Sequence, residues 1–486
     1  MILPGHRVSP DVLAGNARVA DGNAPARVFD DLKEQTLKRL PRLALLCLLC
    51  FPWPSLAGQK PNVLIIYADD LGYGELGCYG FKEVPTPNID SIATNGIRFT
   101  TGYVSAPLCS PSRAGLMTGR YQQRFGHDNN NIEPRGGLPL TETTLAQRMK
   151  ALGYATMIIG KWHLGQDAQH LPMKRGFGEF FGVTANPGSY FRPTGFIDSR
   201  VSPEVQPVTD KDFYTTDAFA ARASDWIEKH RDGPWFLYLP FNAVHGPHQA
   251  TERYLKRFAQ ISSLRRRDFD GTLSAMDDAV GVVLGKLRAL NLEENTLIFF
   301  ISDNGAPIGR GGNGILRGGK NSCWEGGSRL PWMMQWKSKL PSGKLYDLPV
   351  VQLDVMPTCV AAVGGTIDSA WKLDGVNLLP YLTGENEERP HQSLYWRIDG
   401  MWAIRHGDMK LVHGKANSSP PELFDLANDI GEQNNLASKE PEKVKELKAM
   451  WDDWNAQMAP PAVPKDRKAR RAKRRKDRLE TVTLHH

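Results

Sequence analysis

Four short apolar runs constrain this chain more than any other feature: Val63–Tyr67, Ala155–Ile159, Trp235–Leu239 and Thr296–Ile301. Each is nearly continuous rather than alternating, the pattern of a strand covered on both faces. Longer helical stretches separate them. Before the last run, Met276, Val280, Val283, Leu284 and Leu287 share one helical face, while Asp277, Asp278 and Lys286 point elsewhere. This alternation predicts an α/β fold with a doubly wound, mostly parallel central sheet and helices on both faces. The residues after each run matter as much. The runs lead in turn to Asp69-Asp70, to Gly160-Lys161-Trp162-His163, to His245 and to Asp303-Asn304. Loops beyond the strand C-termini of such a sheet gather at one edge, where ligands bind, so these four polar clusters are expected to meet.

Beyond Pro357 the pattern changes. Ser393–Arg397, Met401–Arg405 and Met409–His413 read as short strands, with turns at Gly400 and Gly407-Asp408, and Pro441–Met458 reads as a helix. The expected organisation is a catalytic domain over 58–370, a small C-terminal α+β domain with a short antiparallel sheet over 371–458, and a solvated basic tail over 459–486. From Lys465 to His486 the tail has ten Lys or Arg against three Asp or Glu, which accounts for the whole net charge of +7. No aromatics interleave these charges, so no nucleic-acid partner is expected.

At the other end, Lys38-Arg39-Leu40-Pro41-Arg42 precedes the apolar stretch Leu43–Phe51, and small residues surround Ala57. These are the parts of a signal peptide, with an apolar core too short for a transmembrane segment. The expectation is a leader over 1–57 and an exported protein, periplasmic or secreted. Residues 1–36 fit such a leader awkwardly and read as an over-extended start or an unusual leader. Loss of the leader removes Cys47 and Cys50 and leaves Cys78, Cys109, Cys323 and Cys359, too few for a disulfide scaffold.

The acids at two strand ends, Asp69, Asp70, Asp303 and the amide Asn304, are hard oxygen ligands of the kind calcium or magnesium takes. An isolated Asp-Asp is weak evidence, because it also caps helices and fills turns. Two such groups at one sheet edge are stronger, since carboxylates brought together without a cation raise each other's pKa. Cys109 opens a helical-looking run ending at Met117-Thr118-Gly119-Arg120, which places it near a helix N-terminus that favours an anion. On its own it reads as a buried small hydrophobe, or as a thiolate nucleophile with His163 or His245 as base.

The flanking residues argue for different chemistry. Cys109-x-Pro111-Ser112-Arg113 followed by Thr118-Gly119-Arg120 resembles the signature of the formylglycine-dependent sulfatases. Asn62–Gly77, Gly160–Gly165, the stretch around His245, Ser302–Gly305 and Arg317–Pro331 look like further blocks of that family, in its order. The resemblance implies the alkaline-phosphatase superfamily fold and a sulfuric ester hydrolase of arylsulfatase or N-acetylgalactosamine-sulfatase type. It implies Cys109 oxidised to formylglycine (3-oxoalanine) by a maturation enzyme. One Ca2+ would be held by Asp69, Asp70, Asp303, Asn304 and modified Cys109. Arg113, Lys161, His163, His245 and Lys320 would line the sulfate pocket, with His245 and Lys320 assisting departure of the alcohol, His245 the preferred acid, and His163 the base that releases sulfate. His248 is a candidate specificity contact, while Arg310 and Arg317 have no assigned role. The expected substrate is a sulfated carbohydrate. Two alternatives stand beside this: a phosphate- or phosphonate-ester hydrolase on the same fold, and a non-catalytic glycan-binding relative.

Overall fold

The computed structural model describes residues 60–130, 136–309, 312–414 and 419–462. The expected leader, Arg310 and the tail from 463 onward lie outside them. The strands are β1 Asn62–Ala68, β2 Ile97–Phe99, β3 Gly102–Tyr103, β4 Ala155–Lys161, β5 Glu179–Val183, β6 Phe196–Asp198, β7 Trp235–Pro240, β8 Thr296–Ser302, β9 Trp332–Gln335, β10 Lys344–Tyr346 and β11 Val350–Val351. Four more follow: β12 Ser393–Ile398, β13 Met401–His406, β14 Met409–His413 and β15 Glu422–Asp425. Nine of them form one sheet in the order β10-β2-β9-β8-β1-β7-β4-β5-β6. Its middle, β8-β1-β7-β4-β5, is parallel, whereas β9 and β6 run antiparallel to their inner neighbours. The fold is the doubly wound α/β class that the four apolar runs predict.

Their near-continuous apolarity has a direct cause. In β1, Leu64, Ile66 and Ala68 enter one core, with the helices Thr215–Lys229 and Leu264–Ala289. Val63, Ile65 and Tyr67 enter the opposite core, with the helices Cys109–Thr118, Leu145–Ala151 and Val355–Ala362. Each fully buried aliphatic side chain contributes about 1.5–3 kcal/mol. Both faces would lose their partners if the register slipped by one residue. Gly160 has a separate necessity: its φ is +130°, and a Cβ there would lie 1.9 Å from the Pro240 carbonyl oxygen. Only glycine lets β4 approach β7 this closely, just before Lys161.

The second sheet has the order β12-β13-β14-β15 and is antiparallel. Its inner side chains Leu394, Trp396, Ile404, Leu411 and Leu423 pack with Leu447, Trp451 and Trp454 of the helix Pro441–Ala456. Among the described residues, no helix is long and apolar enough to cross a membrane.

Candidate active site

Asp69-Asp70 follow β1 and Asp303-Asn304 follow β8, its parallel neighbour, in which Ala68 pairs with Ser302. The Asp70 amide donates to Asp303 Oδ1 at 3.1 Å, tying the two strand ends together. Cys109 is the first residue of the helix Cys109–Thr118, every residue of which is buried. Pro111 sits in the first turn, where its missing N–H has no helical acceptor to lose. Ser112 Oγ lies 3.0 Å from Tyr67 Oη and donates to Gln352 Oε1 at 3.1 Å, anchoring the helix to β1. Gly119, at φ +64°, closes the helix in the left-handed conformation and donates to the Gly115 carbonyl. The fixed positions of the motif therefore hold the helix start against the end of β1.

One ligand atom from each of Asp69, Asp70, Cys109 and Asp303 lies within 4.8 Å of the others, and all four residues are buried. Cys109 Sγ is 3.7 Å from Asp69 Oδ1 and 4.0 Å from Asp70 Oδ1, and accepts from Lys320 Nζ at 3.1 Å. Cations ring the acids. Lys161 Nζ donates to Asp69 Oδ2 at 2.5 Å, and Arg113 reaches Asp303 Oδ2 through Nε at 3.1 Å and Nη2 at 2.8 Å. Lys320 Nζ and Asn304 Nδ2 both donate to Asp70 Oδ1. His245 Nε2 lies 3.7 Å from Asp70 Oδ2, while its Nδ1 meets the Gly246 carbonyl at 2.6 Å. His163 is buried, and its Nδ1 has no hydrogen-bond partner.

These surroundings set the charges. Burial opposes ionisation of Asp69, yet Lys161, His245 and Arg113 hold its carboxyl down at about 2. Burial, reinforced by Asp303, pushes the Cys109 thiol well up. Burial and then Lys161 hold His163 well below the ordinary imidazole value, so it is neutral. Asp70 and His163 are both left-handed, at φ 63° and 61°. Non-glycine residues cost energy there, and such strain gathers at functional sites.

The structure brings together every residue singled out for the site: Asp69, Asp70, Cys109, Arg113, Lys161, His163, His245, Asp303, Asn304 and Lys320. The donor set fits a hard cation. Three carboxylates converge, and Asn304 Oδ1 is buried with no hydrogen-bond partner. Sequence reading missed a supporting group: Ser110 Oγ donates to the His163 carbonyl at 2.7 Å and meets His127 Nε2 at 2.8 Å. Ser110 is a variable letter of the motif and His127 lies in a loop, so neither carries a sequence signal. Tyr190 is another, its hydroxyl 2.9 Å from the Asn242 and His245 carbonyls. Arg317 has a structural place, against Glu422 at 3.1 Å and over the Trp324 ring at 3.6 Å.

Carboxylates for a cation, cationic side chains for an anion and a nucleophile position at a helix N-terminus suit hydrolysis of an ester of a tetrahedral anion. Comparison with known proteins narrows that class. A family model described as Sulfatase matches residues 61–365. Arylsulfatase A of Homo sapiens is 34% identical over 450 residues, covering 81% of this chain and 87% of that protein. N-acetylgalactosamine-6-sulfatase of Sus scrofa is 35% identical over 388 residues, covering 73% and 72%. The solved structure of Ps i-CgsB in complex with k-i-k-neocarrahexaose gives a TM-score of 0.76 at 33% identity, covering 83% of this chain and 94% of that one. A phosphonate monoester hydrolase of Agrobacterium radiobacter shares the fold, with a TM-score of 0.60 at 21% identity and 82% and 96% coverage. The chain belongs to the sulfatase family, within the alkaline-phosphatase superfamily, and this membership supports sulfate-ester hydrolysis as its reaction.

Proposed function

We propose that this protein hydrolyses sulfate esters of carbohydrates, using Cys109 after its oxidation to formylglycine and one calcium ion. The observation that carries the reading is the convergence of Asp69, Asp70, Asp303 and Cys109 within 4.8 Å. The carbohydrate assignment draws on relatives whose names specify N-acetylgalactosamine 6-sulfate and a bound neocarrahexaose. Export through the expected leader and a formylglycine-generating partner belong to the same proposal.

Asp69, Asp70, Asp303, Asn304 and residue 109 would hold the calcium, which would polarise the sulfate oxygens and acidify the attacking hydroxyl. The hydrated aldehyde at residue 109 carries two hydroxyls on one carbon. One would be the nucleophile, giving its proton to a neighbouring carboxylate such as Asp69, whose Oδ1 lies 3.7 Å from Cys109 Sγ, and forming an S–O bond as the ester S–O bond to the alcohol breaks. Arg113, Lys161 and Lys320 bring positive charge to the sulfate oxygens. His245 gives the departing alcohol its proton. Because Nδ1 faces the Gly246 carbonyl, Nε2 has a proton to give only in the imidazolium form. His163, held neutral by its surroundings, takes the proton of the second hydroxyl. Loss of that proton would let sulfate leave with its bridging oxygen and restore the aldehyde. A serine would stop at its sulfate ester, having no second hydroxyl.

The test is steady-state turnover of paired aryl sulfate and aryl phosphate esters by enzyme co-expressed with a formylglycine-generating enzyme, with mass analysis of the Cys109 peptide. The reading expects the aldehyde mass and sulfate turnover well above phosphate. Undiminished activity with unmodified Cys109, or preference for phosphate, overturns it.

A further inference from the structure

Above the catalytic groups the molecule has a second cavity that the chemistry does not use. The inner cavity, about 190 Å³, has Asp70, His245 and Lys320 at its polar end and Val244, Phe269 and Pro307 as apolar walls. An outer cavity of about 480 Å³ is lined by Gly246, Pro247, His248, Arg265 and Asp268. The two share Gly246 and His248, so a ligand whose sulfate lies in the inner one extends into the outer one. His248 stands where they join, its ring edge-on to Phe269 with centroids 5.2 Å apart. Arg265 is exposed in the first turn of the helix Leu264–Ala289 and donates to the Gly309 carbonyl at 3.3 Å. Asp268 accepts from Thr272 Oγ1 through its main-chain carbonyl at 2.7 Å and is a half-buried residue of the cavity lining.

We propose that this outer cavity is the leaving-group subsite, with Arg265 and Asp268 reading hydroxyls of a neutral sugar. This deepens the sulfatase reading and rests on it. A pyranose has an apolar C–H face and a rim of hydroxyls, each both donor and acceptor. Pro247 of the outer cavity suits the face, and Phe269 and Pro307 of the inner one extend that apolar wall toward the sulfate. A guanidinium that only donates and a carboxylate that only accepts suit neighbouring hydroxyls. The two sit three residues apart on one helix and are therefore neighbours on its surface. That spacing selects against a second anion. A uronate or an additional sulfate drawn to Arg265 would meet the Asp268 carboxylate in the same cavity, and like charges at close range repel. A flat aryl or steroid leaving group would use the apolar walls and leave both polar side chains without partners.

The experiment compares kcat/KM for 4-nitrophenyl sulfate with that for monosulfated galactose and N-acetylgalactosamine disaccharides, sulfated at each position, in the matured full-length enzyme. Asp268→Asn and Arg265→Met are measured in parallel. A hydrogen bond to a charged group is worth about 1.5–3 kcal/mol, so Asp268→Asn and Arg265→Met should each lower the saccharide-to-aryl ratio about 10- to 100-fold, mostly through KM. Asp268→Asn should also improve turnover of saccharides with a uronate beside the sulfated sugar, relative to neutral ones. An unchanged ratio in both variants overturns the subsite, as does a wild-type enzyme that hydrolyses the aryl sulfate and no saccharide. A matured enzyme that hydrolyses neither overturns the sulfatase reading, and the subsite with it.

Discussion

Two clusters of buried charge lie in this protein, built from the same side-chain types and turned to different ends. One gathers Asp69, Asp70 and Asp303 with Lys161, Arg113 and Lys320 around Cys109. The other joins the four-stranded sheet to Tyr103 of β3 and to the short helix Glu325–Ser328. There Lys410 Nζ lies 2.7 Å from Glu325 Oε1 and 2.9 Å from Glu432 Oε1, and Arg329 Nη1 is 3.3 Å from Glu325 Oε2. Tyr103 donates to Glu325 Oε2 at 2.7 Å and accepts from Arg405 at 2.7 Å. In both clusters one acid is held at about 2 against the effect of burial: Asp69 by Lys161 and Glu325 by Lys410. The difference lies in what stands between the acids. In the second cluster a lysine separates the carboxylates and bridges them. In the first, Arg113 reaches Asp303 and Asp69 and Lys320 reaches Asp70 and Cys109, yet a ligand atom of each acid and the sulfur still lie within 4.8 Å of one another, with Asn304 Oδ1 unpartnered. Burial and charge do not distinguish a site from a brace; the centre of the cluster does.

The contrast can be broken at four points, taken from the largest effect downward. Cys109→Ser should lower steady-state turnover at least about a thousand-fold while leaving the melting temperature nearly unchanged; sulfate release per enzyme and a thermal melt read the two. Lys410→Met should do the reverse. It leaves two buried carboxylates without their bridge, costing about 3–5 kcal/mol of stability, while the folded fraction keeps its kcat. Chemical denaturation against activity per folded molecule checks this, and a matching loss of kcat would merge the two clusters.

Chelation is the third point. Removing a cation bound at a hundred times its Kd takes away about 2.7 kcal/mol, so exhaustive chelator treatment should abolish activity and lower the melting temperature, and added Ca2+ should restore both. The smallest effect is in pH. Burial raises the Glu432 carboxyl to about 7, with Lys410 opposing it, from an ordinary 4.5. The folded protein thus keeps a proton that the unfolded chain has released, and stability falls as pH rises from about 4.5 to 7. Glu432→Gln should reduce that slope, leaving the share of Glu75, whose carboxyl burial also raises to about 7. Asp69, ionised well below this window, should leave it unaltered when changed to Asn.

The first cluster was legible in the sequence and the second was not. Asp69, His163, His245 and Asp303 each follow a strand whose double burial makes it a long apolar run, so their meeting at one edge follows from topology. Lys410 and Glu432 stand in no motif, Glu325 lies in the Arg317–Pro331 block with no role assigned to it, and the three meet only through tertiary packing. The short strands β2, β6 and β10 escaped notice because three residues give no period to read. The strand β15 escaped for a similar reason, with four residues of mixed polarity. Arg265 and Asp268 were hidden differently, in a run of charges that reads as an ordinary solvated helix start.

The pairing of Ala68 with Ser302 has a consequence for time as well as for space. Asp69 and Asp303 are the next residues on two parallel strands joined in register, so the gap between their carboxylates is an interstrand spacing. These strands are 228 residues apart at their closest sequence approach, from Ala68 to Thr296, and such long-range pairings close slowly. The cation pocket therefore cannot exist in a partly assembled chain, however complete its local helices are. Cation binding at this cluster would require the β1–β8 pairing to be in place, and would report on that one pairing within a nine-stranded sheet.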